Sequence, residues 1–119
     1  MGEYSSVRIW QLKPDASAAD LEDLAVTGIA EMHRWIPGIE QLSLVHVEDG
    51  SHASQPYYLM LITFRNYEAY CAWRRIEEEG PDYWERYASV SMHWVQIARL
   101  VGEYRGDLTD LLPRQDSRD

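Results

Sequence analysis

A protein can remove an acidic proton without a metal if it supplies a base and a group to steady the anion left behind. Imidazole, phenol and guanidinium serve those roles, and this chain carries them on or beside extended segments. His46 shares a strand face with Leu42 and Leu44. Histidine titrates near neutrality, which suits it to general acid–base work. Tyr57 and Tyr58 open the next extended run, and residues across paired strands lie about 5 Å apart. One tyrosine can therefore stand opposite His46. The two point to opposite faces, and only the strand register decides between them. His93 is the second candidate acid or base, should its helix aim it inward. Arg8 and Arg65 can hold an oxyanion, and Trp10, Trp73, Trp84 and Tyr87 can wall an aromatic pocket. Each residue also has a plain structural reading: His46 as a hydrogen-bonded sheet histidine, His93 facing solvent or an interface, and the rings as core.

Other chemistries lack their residues. His33, His46, His52 and His93 form no i, i+4 pair and have no cysteine neighbour, so no metal site is expected. There is no glycine-rich phosphate loop and no Gly-x-Ser-x-Gly nucleophile elbow. Cys71, between Tyr70 and Ala72, reads as a small hydrophobe. Glu77, Glu78 and Glu79 read as a solvated helix end. Eleven basic against twenty acidic residues give a net charge of −9, which repels nucleic acid and anionic lipid. No run of about 18 apolar residues is present to span a membrane. The first ten residues show no export signal and the chain has a single cysteine, so a cytoplasmic setting is expected.

The elements that must position these groups can be read from pattern. At 119 residues and 45% hydrophobic, the chain is the size of one domain. Val7–Leu12 reads as a strand stopped by Lys13-Pro14-Asp15. Ser17 and Asp20 resemble a helix cap, and Leu21, Leu24, Gly28, Met32 and Trp35 then recur at helical steps until Pro37-Gly38. Gly28 at mid-helix predicts close approach to a strand. A second strand, Ile39 to Val47, leads through a polar connection, Glu48 to Pro56, to a third, Tyr57 to Phe64. A helix over Tyr67–Glu79 buries Tyr70, Trp73 and Ile76. Gly80-Pro81 breaks it, and the next helix presents Trp84, Tyr87, Ala88 and Ser91 inward. A last strand is predicted from Val95 to about Tyr104. The tail, residues 105–119, is polar apart from Leu108, Leu111 and Leu112.

Strand, helix, strand, strand, helix, strand is the ferredoxin-like order, α+β, with the first and third strands central in a four-stranded antiparallel sheet. Those two runs are apolar or aromatic on both faces, where a one-sided sheet would alternate. Helices cover one face only, so the other is expected to meet a second copy. Leu12-Lys13-Pro14, Ile36-Pro37-Gly38-Ile39 and Thr63-Phe64-Arg65-Asn66, followed by Tyr67-Glu68-Ala69-Tyr70-Cys71-Ala72-Trp73, resemble the dimeric α/β-barrel superfamily. The likeness is to its stress-responsive barrel and antibiotic-biosynthesis-monooxygenase branches. It implies a domain over residues 1–104, two sheets packed face to face in a homodimer, and a small aromatic or polyketide-like ligand transformed without metal or flavin. Cofactor-free oxygenase, cyclase and isomerase chemistry all occur on this fold, as do members with no reaction. A non-catalytic, ligand-binding or stress-related dimer is the alternative. In the haem-degrading branch a ligand histidine lies along the second helical region, where this chain has Tyr87 or Ala88, so haem is not expected.

Overall fold

The computed structural model describes residues 2–48 and 57–112. Strand β1 (Tyr4–Leu12) leads into helix α1 (Ala18–Leu24), a π-helical turn (Ala25–Ile29) and helix α2 (Ala30–Arg34), one after another. Strands β2 (Ile39–Val47) and β3 (Tyr57–Phe64) come next. Helices α3 (Tyr67–Glu79) and α4 (Pro81–Ile97) then precede strand β4 (Ala98–Asp107). Most of the predicted polar connection, from Asp49 to Pro56 with His52, lies outside the described residues.

The strands form one four-stranded antiparallel sheet in the order β2-β3-β1-β4. This is the ferredoxin-like arrangement, with β1 and β3 central. Alternation sorts β3 into two faces. Tyr58, Met60, Ile62 and Phe64 are buried against the helices, while Tyr57, Leu59 and Leu61 are half-buried on the face left open. Side chains fix the helix starts. Ser17 Oγ accepts the Asp20 N–H at 3.3 Å, and Asn66 Oδ1 accepts the Ala69 N–H at 2.8 Å.

Four sequence expectations change here. Gly28 approaches helix α4 rather than a strand: a Cβ on it would lie 2.8 Å from Val90 Cγ1. It sits within the π-helical turn, whose extra residue shifts the phase of the buried stripe. Ile29, Met32 and His33 therefore turn inward, while Trp35 is exposed. In α4 the buried residues are Tyr83, Tyr87 and Trp94, not Trp84, Ala88 and Ser91. Non-helical dihedrals at Tyr87 (φ −118°, ψ 16°) kink this helix. Val95 and Ile97 belong to α4, so the last strand begins at Ala98 and continues to Asp107. Beyond it, the Leu108 N–H donates to the Glu3 carbonyl at 2.9 Å, whereas Leu111 and Leu112 are exposed.

Candidate functional site

Strand pairing settles which tyrosine meets His46. The β2–β3 register sets His46 opposite Tyr58, and Val47 opposite Tyr57. His46 and Tyr58 lie on the helix-covered face, with their rings stacked at 4.6 Å between centroids and 14° between planes. Tyr58 is completely buried, whereas the His46 side chain keeps 42% of its exposure at the sheet edge. Glu22 reaches down from α1 to both. Its Oε2 accepts the Tyr58 hydroxyl at 2.7 Å and lies 3.5 Å from His46 Nδ1. Burial and the Glu22 carboxylate together push the Tyr58 phenol well above its usual pKa, so it stays protonated and keeps donating.

These three residues line a groove of about 470 Å³ between β2, β3 and the first helical run. Ala25, Val26 and Ile29 of the π-helical turn form one wall, and Leu42, Leu44 and Met60 form the sheet wall. Arg34 stands at the groove with its side chain largely in solvent, 3.4 Å from Glu31. With Nδ1 facing a carboxylate, the imidazole is oriented to leave Nε2 as the proton acceptor.

The other predicted residues go elsewhere. Arg8, Trp10 and Trp84 line a second, smaller cavity of about 180 Å³ under the centre of the sheet. Ile29 and Met60 line both spaces and separate them. Arg8 donates from both terminal nitrogens to Glu77, at 3.0 and 3.1 Å, and from Nε to Glu103 at 3.0 Å. Burial works against its charge, yet the two carboxylates raise its pKa above the ordinary guanidinium value. Trp73 lies wholly buried beneath it, with the guanidinium carbon 4.9 Å from the ring centroid. Tyr87 donates to the Glu31 carbonyl at 3.3 Å and packs between helices. Tyr57 lies on the open sheet face and His93 is exposed on α4. Arg65, beyond β3, is 3.7 Å from Glu40 and lines neither space.

Glu22 and Arg34 escape a sequence reading because both sit off the apolar stripe of their helices, where charge ordinarily means solvent. His33 escapes it because the π-helical turn is what carries it inward. Among the described residues, no three His, Cys, Asp or Glu side chains converge as a metal site, and no helix is long and apolar enough to cross a membrane.

No family model matches the chain, and no curated protein matches it. Solved structures do. HapK from Hahella chejuensis aligns with a TM-score of 0.68 at 14% identity, covering 95% of this chain and 99% of that one. SnoaB from Streptomyces nogalater, a cofactor-independent oxygenase, aligns at 0.66 and 14%, covering 96% and 100%. A putative antibiotic biosynthesis monooxygenase from Chloroflexus aurantiacus aligns at 0.59 and 9%, covering 94% and 98%. The chain thus shares the ferredoxin-like fold of these proteins along nearly its whole length.

Proposed function

We propose that this protein is a cytoplasmic homodimeric barrel that transforms an enolisable aromatic or polyketide-like molecule without metal or flavin, with His46 as the general base. The observation that carries the reading is the His46–Glu22–Tyr58 cluster on the wall of a largely apolar groove that Arg34 and Ser43 also line. Glu22 faces Nδ1, and Nε2 takes the proton as the substrate C–H bond breaks. The electron pair stays on the substrate as an enolate, and Arg34 at the groove supplies positive charge. Tyr58 is already committed to Glu22, so its part is to hold that carboxylate in place. The fate of the enolate belongs to the substrate's own chemistry: reprotonation at another carbon, attack on a second carbonyl, or reaction with dioxygen. The groove's volume admits a ligand of several fused rings. Its fold neighbour SnoaB, named as a cofactor-independent oxygenase, supports this class.

The test uses 9-anthrone and dibenzoylmethane, two enolisable aryl ketones, and follows exchange of the acidic proton for deuterium by NMR. The native protein accelerates exchange, and His46→Gln lowers the rate about 10²- to 10⁴-fold, as loss of a general base does. Equal exchange by native and variant protein removes His46 from the role. Saturable binding in the groove with no accelerated exchange turns the reading to a non-catalytic ligand-binding dimer.

A further inference from the structure

The smaller cavity holds polar atoms that the groove chemistry does not use. His33, on α2, is buried at 7% exposure, and it lines this space with Arg8, Trp10, Glu77, Tyr83 and Trp94. Its Nδ1 lies 2.8 Å from the Ile29 carbonyl, which can only accept, so Nδ1 carries the hydrogen. Nε2 is left as a lone-pair acceptor that is not sealed from solvent. Trp10, 9% exposed, lines the same space, and its indole N–H is buried and unpartnered. Buried polar atoms are usually satisfied, and each unsatisfied one costs about 1–3 kcal/mol. That orphaned donor and the open His33 acceptor, on one cavity's lining residues, fit a ligand that both donates and accepts.

We infer that this inner cavity is a second binding site, for a single uncharged phenolic ring whose hydroxyl donates to His33 Nε2. The size fits, since a cavity of about 150 Å³ accepts benzene. The charge fits as well. Arg8 is engaged by two carboxylates, Glu77 and Glu103, so the cavity offers no unpaired cation to a carboxylate or phenolate. An ammonium would have to take Glu77 from Arg8. A neutral O–H donor disturbs neither ion pair and meets the waiting imidazole. Burial also keeps the His33 pKa below its ordinary value, which leaves Nε2 unprotonated at pH 7. Trp84 and Val95 are exposed residues of the lining and mark the side of entry along α4. This site goes beyond the groove reading and stands without it.

The experiment titrates the protein with p-cresol, p-toluate and toluene while following the His33 ring nitrogens and the Trp10 indole N–H by ¹⁵N NMR. Saturable shifts at His33 Nε2 and Trp10 with p-cresol are expected, with toluene weaker by about ten-fold, the worth of one hydrogen bond. p-Toluate is expected not to compete. His33→Leu weakens p-cresol by a similar factor, and Ser91→Phe, a filling substitution at a half-exposed helix position, abolishes binding even if the buried histidine proves necessary for folding. His46→Gln leaves p-cresol affinity unchanged, which separates this site from the groove. The proposal is overturned if toluene or p-toluate binds as tightly as p-cresol, if the shifts track His46 instead, if Ser91→Phe binds as the native protein does, or if p-cresol does not bind at millimolar concentration.

Discussion

Two histidines of this chain sit under the same sheet in opposite circumstances, and the difference is measurable. His46 stacks on Tyr58 at the sheet edge, half in solvent. His33 is buried, and burial lowers its pKa; the Arg8 charge adds to the lowering, against the Ile29 carbonyl bond and Glu77, which raise it. The unfolded chain, in which His33 titrates near 6.5, then binds a proton that the folded chain refuses. Stability from this residue is complete above that pH and is lost as pH falls from about 6.5 toward the folded value. Urea unfolding of native protein and His33→Gln across pH 7.5 to 5.5 should show the native advantage shrinking as the solution acidifies. A pH-independent difference would contradict the burial argument. At this scale the sequence discloses His46 and its tyrosine partner in outline, because alternation along a strand and cross-strand spacing are local rules. Glu22 and His33 are not legible: one looks like solvated charge, and the other depends on a phase shift that composition does not announce.

That phase shift is a property of an element. The π-helical turn brings Gly28 against Val90, and the β-branched valine has little rotamer freedom with which to retreat. Gly38, where the chain leaves α2 for β2, has φ 92°, and a Cβ there would lie 2.6 Å from the Ala69 Cβ. Gly38→Ala therefore meets both a left-handed backbone and a steric clash, and should cost about 2–4 kcal/mol in chemical unfolding. Gly28→Ala should cost less, about 1 kcal/mol, because a helical alanine returns part of what overpacking removes. A Gly38→Ala protein as stable as the native one would show that the turn can be rebuilt. Elsewhere the elements are readable because their stops are chemical: Pro14, Pro37 and Pro81 each interrupt a run at or near the predicted place. The α4–β4 junction misleads because Val95 and Ile97 are β-branched and favour a strand locally, while packing of Trp94 against Trp10 holds the helix on to Ile97.

For the whole molecule, the open face of the sheet decides how the protein lives in solution. Val7, Ile9, Leu59 and Leu61 on the central strands are only half-buried there, Val45 on β2 is 44% exposed, and Tyr104 on β4 is 67% exposed. A contiguous apolar sheet face left in water is a contact surface or an aggregation hazard. The net charge of −9 opposes indiscriminate association, so a defined partner is favoured over aggregation. A second copy presents the same face. Two four-stranded sheets meeting this way approach the roughly 800 Å² per partner of a stable interface. Light scattering at micromolar concentration should then give a mass near twice 13.9 kDa. Leu61→Glu places a charge at the centre of the open face and should yield a folded monomer. Ile62→Glu, one residue along but beneath the helices at 1% exposure, should unfold the chain instead. A native monomer, or a Leu61→Glu protein that remains dimeric, would mean the exposed valines, leucines and tyrosine serve some other contact. The two substitutions differ by one position on one strand, and strand alternation alone predicts their opposite outcomes.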